Sequence, residues 1–113
     1  MAKYQKTFHG RSLTEVRVVI EQEILHGSMT ASLEDASSFE ENGARCSVQV
    51  FERYSWLGSN RVSLSVTLFQ AAGSDKVHLS AITSGGSQAV FFKLNTFGEE
   101  AFLDKLRNAV ARL

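Results

Sequence analysis

Two adjacent glycines, Gly85 and Gly86, lie between two serines in the stretch VHLSAITSGGSQAVFFKLN. Glycine amides with neighbouring hydroxyl groups can bind a phosphate, and a glycine pair can also form the turn of a β-hairpin. The phosphate-loop patterns GxxxxGK[ST] and GxGxxG do not occur in the chain. A Gly85-Gly86 turn would pair residues 77–82 with residues 89–94 and make one face of both strands apolar. The pattern therefore favours a hairpin over a phosphate site.

Metal binding and nucleophilic catalysis need His, Cys or carboxylate groups at suitable spacing. His9, His26 and His78 have no helical i,i+4 spacing, and the single Cys46 has no CxxC partner. Cys46 lies in an alternation of apolar residues, which is typical of a buried, inert thiol. We therefore predict no metal site, no catalytic residue and no cofactor.

The stretch FERYSWLGSNR contains the densest group of side chains that could recognise a partner. Trp, Tyr and Arg dominate binding hot spots, so this stretch is a candidate recognition end. In the alternative interpretation, the aromatic residues close one end of the core and the charges are solvated. The candidate residues are Arg53, Tyr54, Trp56, Asn60 and Arg61.

Two segments have the periodicity of amphipathic helices. Residues 12–26 begin with a capping box, Ser12 and Glu15, and continue with an apolar stripe at helical spacing. Residues 96–113 begin with a second capping box, Thr96 and Glu99, and have their own apolar stripe. Each helix should bury one face.

The remaining segments alternate as strands. The predicted strands are residues 3–9, 28–34, 45–54, 61–70, 76–83 and 88–94, with residues 35–43 as a loop. The expected fold is an α+β two-layer sandwich with the element order β-α-β-β-β-β-β-α. An antiparallel sheet of about five to six strands should have two helices on one face. A chain of 113 residues suits a single domain, 1–113.

Large apolar residues also occur in the strand phase that should face away from the helices. Cys46, Val48 and Val50 are expected to point inward, which leaves the opposite phase for the open face. That phase contains mostly Ser and Thr, but also the candidate interaction surface Phe51, Phe69, Ile82 and Phe91. Soluble monomers rarely expose large apolar patches. The sequence thus predicts a homodimer through this face, or closure of the face over an apolar ligand.

The charge balance disfavours several partners. Twelve basic and twelve acidic residues give a net charge of zero, so no overall field attracts the chain to nucleic acid or an anionic membrane. No apolar run has the length of a signal peptide or a membrane span. We expect a cytoplasmic protein with neither nucleic acid nor membrane as its partner.

Two long strings, ERYSWLGSNRVSLSVTL and AITSGGSQAVFFKLNTFGEEAFLDKLR, together with the start MAKY, resemble a small bacterial family, mostly from Firmicutes, known only as a domain of unknown function. The resemblance implies no activity and no ligand. Our hypothesis from the residues is a non-enzymatic binding or interaction domain that self-associates through the open sheet face. The alternative is a small-molecule-binding protein or an enzyme, with a pocket between sheet and helices or at the Trp56 hairpin end.

Overall fold

The computed structural model describes residues 1–27, 30–55, 60–85, 102–111 and 113. These residues form five strands and two helical segments. The elements are β1 (Ala2–His9), α1 (Leu13–Gly27), β2 (Ser32–Glu41), β3 (Ala44–Ser55), β4 (Asn60–Gln70), β5 (Lys76–Gly85) and α2 (residues 102–110). The predicted α+β class is confirmed.

The five strands form one antiparallel sheet in the order β1-β5-β4-β3-β2. Both helices pack on the same side of it, where their buried side chains join those of the strands in one core. We call this side the inner face and the opposite side the open face. The arrangement is the predicted two-layer sandwich, with β2 as the edge strand of one side and β1 as that of the other.

Aliphatic residues of β4 and β5 form the centre of the core. Val62, Leu64, Val66 and Leu68 are buried on the inner face of β4, as the alternation predicted. The α1 stripe and the α2 stripe cover them. The buried helix residues are Leu13, Val16, Ile20, Ile24, Phe102, Leu103, Leu106, Ala109 and Val110. Each buried aliphatic or aromatic side chain contributes about 1.5–3 kcal/mol relative to an exposed one.

Side-chain hydrogen bonds position α1 on the sheet. The Ser12 hydroxyl accepts from the Glu15 amide at 3.1 Å, which confirms the predicted cap. The Glu15 carboxylate does not complete the capping box, because it pairs with Arg11 at 2.8 Å. At the C-terminal end, the Gly27 carbonyl accepts from Lys105 of α2 at 2.7 Å, so the two helices are joined there.

The predicted loop at residues 35–43 is wrong. Residues 35–41 continue β2, and Asn42 and Gly43 form the two-residue turn to β3. Both turn residues have positive φ, 51° and 86°, as a type I′ hairpin requires. Acidic and serine residues reduce the strand signal of β2, but Asn-Gly is itself a strong hairpin signal.

The predicted pairing after Gly85 is also wrong. From His78 to Thr83, β5 pairs with β1 on one side and with β4 on the other, so these residues have no free edge for another strand. The expected partner strand, residues 88–94, lies outside the described residues. So do the expected Thr96 cap and the turn residue Gly86.

The phase of β3 is inverted relative to the prediction. In an antiparallel pair, residues directly opposite each other share a face. Phe51 lies opposite Leu64 and Gln49 opposite Val66, so these β3 residues point inward with the β4 core residues. Cys46, Val48 and Val50 consequently lie on the open face, each of them half-buried.

Candidate functional site

The open face has an apolar centre that runs obliquely across the sheet. Phe69 of β4 and Ile82 of β5, two residues of the predicted surface, are 42% and 43% exposed there. Phe39 of β2 is opposite Cys46 and, at 66%, is the most exposed large apolar residue after Met1 among the described residues. The half-buried Val48 lies next to them on β3.

Of the four residues predicted for this surface, one does not belong to it and another lies outside the described residues. The prediction for Phe51 is wrong, because its side chain is 0% exposed and lies in the core under the helices. Phe91 lies outside the described residues. Sequence reasoning missed Phe39 because it assigned this residue to a loop. The Asn42-Gly43 signal would have placed Phe39 on a strand, in register with Cys46.

A depression of about 330 Å³ lies beside the apolar centre, over β1, β5 and β4. Thr7, Phe69, His78 and Ser80 are among its lining residues. The His78 ring stacks on Phe69 with centroids 6.5 Å apart, and its Nδ1 is 3.1 Å from the Thr7 hydroxyl oxygen. One aromatic wall and several hydroxyl groups therefore surround the depression.

The charges of the open face lie at its borders and differ in sign from side to side. Lys3 and His9 are on β1, and they lie on the open face, as Thr7 does. Asp35 and Glu41 are on β2, in phase with Phe39. The strands between them contribute Ser, Thr and apolar side chains to the centre. One border is thus basic and the opposite border acidic.

The predicted recognition end is split between the two faces. The Arg53 guanidinium lies on the inner side, 5.6 Å from the centroid of the Phe102 ring. Tyr54 is 49% exposed on the open face, opposite Arg61, which forms an ion pair with Glu52 at 2.9 Å. Trp56 lies outside the described residues, and Asn60 is described only as the first residue of β4. The described residues here do not form one recognition site.

A second cavity, of about 530 Å³, lies between α1 and the β2–β3 hairpin. We call it the inner groove. Small side chains, Ala36, Ser38 and Ser47, leave space below the helix, while Arg17 and Glu21 line the helix side. The inner groove corresponds to the pocket between sheet and helices that the alternative hypothesis required.

Gln49 is the most deeply buried polar residue of the inner groove, at 2% exposure. Its Nε2 donates to the Glu21 carboxylate at 2.8 Å. Its Oε1 is buried and has no hydrogen-bond partner among the described residues. A buried acceptor without a partner costs about 1–3 kcal/mol, so such an atom in a groove indicates a position for a donor.

Other chemical sites are not evident in the part of the chain that the structure describes. Its His, Cys, Asp and Glu residues form no group of three or more that could hold a metal ion. The described helices include none that is long and apolar enough to cross a bilayer.

The fold and the two cavities define a small α+β domain with an apolar open face and a polar inner groove. Over residues 1–113 the chain matches DUF6054, described as a family of unknown function, and it belongs to this family. No curated protein and no solved structure matches it.

Proposed function

We propose that this protein is a homodimeric interaction domain in which the open face of one copy packs on the open face of another. The observation that carries the proposal is the inversion of β3. Its apolar residues Cys46, Val48 and Val50 point away from the core. They lie on the same face as Phe39 and Phe69 of the neighbouring strands. A monomer would leave this surface in water, whereas a dimer would bury it.

The charges at the borders of the face favour one orientation of the two copies. If the two-fold axis runs parallel to the central strand β4, β1 of one copy lies over β2 of the other. Lys3 then lies opposite Asp35, because the two residues are in the same row across the sheet. A two-fold axis across the strands would place β1 over β1 and β2 over β2, and so bring like charges together.

The same orientation brings complementary shapes together. Phe39 and Thr7 lie at opposite ends of one row across the sheet, which also contains Cys46, Phe69 and His78. Phe39 of each copy would therefore lie over the depression that Thr7 lines in the other copy. The most exposed aromatic ring of the face would fill its open cavity.

The size of the face is sufficient for a stable dimer. Five strands spaced about 4.8 Å apart, with about eight residues each, give roughly 600 Å² of flat surface before side-chain relief is counted. A standard interface buries about 800 Å² per partner. The sheets would pack about 10 Å apart with their strands aligned within about 30°.

Sedimentation velocity at micromolar concentration tests the association. We expect the wild type to sediment as a dimer and Phe39→Ser to sediment as a monomer. Val18→Ser is the matched control, because Val18 is an exposed apolar residue on α1, away from this face. A monomeric wild type, or a Phe39→Ser variant that stays dimeric, would reject the proposal.

Chemical cross-linking tests the orientation. In a Cys46→Ser background, Thr67→Cys lies on the proposed axis, and a short bismaleimide should join the two copies across a gap of about 10 Å. Gln5→Cys, in the same row but on β1, should be about 20 Å from its copy and should not react across the dimer. Equal cross-linking of both variants would contradict an axis parallel to β4.

Charge exchange provides an independent test. Lys3→Glu alone should weaken the dimer, because it places two carboxylates opposite each other. Adding Asp35→Lys should restore much of the affinity. Failure of the second substitution to restore it would mean that these two side chains do not meet.

A further inference from the structure

The inner groove is on the opposite side of the sheet from the proposed dimer face, so it needs an explanation of its own. Inner-face strand positions are normally apolar, and β4 and β5 follow this rule except at Thr83, whose buried hydroxyl is hydrogen-bonded to the backbone of Ala2. On β3, however, Ser47 and Gln49 are buried below α1 while valines point outward. Buried polar residues that break an otherwise regular pattern are typical of functional sites.

The chemistry of Gln49 defines one half of the site. A carboxylate only accepts hydrogen bonds, so the Gln49 amide must direct its NH₂ group to Glu21. This leaves Oε1 as the buried acceptor without a partner among the described residues. The Glu21 carboxylate beside it retains further acceptor capacity. Two adjacent acceptors, one of them charged, suit a group that only donates, such as an ammonium.

Arg17 defines the other half. It lines the inner groove, and its guanidinium has no hydrogen bond or ion pair within the described part of the chain. Arg11, Arg45 and Arg61, in contrast, each lie near a carboxylate. Arg17 precedes Glu21 by four residues, so their side chains leave the same side of α1 about 5–6 Å apart at Cβ. A guanidinium is the preferred side chain for binding a carboxylate.

We propose that the inner groove binds a small zwitterion of the amino-acid type, either a free amino acid or a short peptide. Its ammonium group donates to Gln49 Oε1 and Glu21, and its carboxylate binds Arg17. A cavity of about 530 Å³ has room for such a molecule together with a side chain. The lining of small side chains on β2 and β3 leaves that space open.

Isothermal titration calorimetry with L-leucine and glycyl-L-leucine tests this proposal. N-acetyl-L-leucine lacks the ammonium and L-leucinamide lacks the carboxylate, so each should bind about tenfold more weakly or not at all, since each loses a charge-assisted hydrogen bond. No binding of either zwitterion at millimolar concentration would overturn the proposal. Equal affinity for leucine and leucinamide would also overturn it.

Variants locate the site. Arg17→Gln and Gln49→Met should each weaken binding by about tenfold. Arg11→Gln is the matched control, because it removes an arginine whose guanidinium already pairs with Glu15. Amide chemical shifts should change at Arg17, Ala36 and Gln49 on titration. Full binding by Arg17→Gln, or shift changes confined to the open face, would reject the site.

Discussion

Strands β4 and β5 bury continuous rows of aliphatic side chains under the helices, whereas β2 has no buried residue on either face. The register of β4 and β5 is therefore specified by burial, since a slip of one residue would move their apolar sets to the other face. The register of β2 depends on its turn and on β3. Two halves of one sheet are thus held by different forces, and the β2–β3 half contributes to both candidate sites, Phe39 to the open face and Gln49 to the inner groove.

The largest expected effect separates two phenylalanines that sequence analysis placed on one surface. Phe51→Ala should lower the free energy of unfolding by about 3–5 kcal/mol, because it leaves a cavity in the core. Phe69→Ala should lower it by less than about 1 kcal/mol, because Phe69 is partly solvated. Urea unfolding at low protein concentration, where association does not contribute, measures both. Similar losses would contradict the assigned phase of β3.

The phase of β3 shows why local pattern predicted one half of the sheet better than the other. Between residues 62 and 68 of β4 only one parity is apolar, so Val62, Leu64, Val66 and Leu68 could be assigned to the core from sequence. In β3 both parities carry apolar groups, and counting them favoured Cys46, Val48 and Val50. The pairing with β4, in which Ser55 lies opposite Asn60, decides the phase instead. This register is a property of the β3–β4 pair, which the alternation within one strand does not report.

The inner groove could not be predicted for a related reason. Gln49 and Glu21 are far apart in the sequence and meet only when α1 packs on the sheet. Neither residue forms a motif, and the phase error placed Gln49 in solvent. Both helices, in contrast, could be located from local signals, because the α1 cap and the apolar stripes of α1 and α2 need no distant partner.

The second prediction concerns the hydrogen bond between Gln49 of β3 and Glu21 of α1, which lies under the helix where β4 and β5 have aliphatic side chains. Glu21→Ala should cost about 1–3 kcal/mol, because it leaves the buried Gln49 donor without its partner. In a Gln49→Met background the same substitution should cost much less, and the difference is the coupling energy. Glu15→Ala, on the same helix but in an exposed ion pair, should cost about 0.5 kcal/mol and serves as the control. Additive effects of the Glu21 and Gln49 changes would show that the contact is not formed.

The third prediction tests whether the turn holds the register of β2. Gly43→Ala and Gly73→Ala each place a side chain at positive φ, 86° and 70°, and each should cost about 1–2 kcal/mol. At Gly43 the added Cβ would also lie 3.1 Å from the Ala72 Cβ. Amide exchange should accelerate along β2 for Gly43→Ala only, because buried side chains keep β4 and β5 in register. Equal acceleration in both hairpins would remove the proposed difference between the two halves.

The smallest expected effect concerns the Glu52–Arg61 ion pair, which joins β3 to β4 near the predicted recognition end. The two side chains are partly exposed and their charged atoms are 2.9 Å apart, so solvent and salt screen the attraction. Arg61→Gln should therefore lower the free energy of unfolding by no more than about 0.5 kcal/mol. It should also leave the sedimentation of the dimer unchanged, because Arg61 lies beyond the apolar centre of the open face. Loss of the dimer in Arg61→Gln, with Phe39→Ser still dimeric, would move the interface to the hairpin end around Tyr54. The proposal for the open face would then be wrong, even though the apolar surface there would still need an occupant.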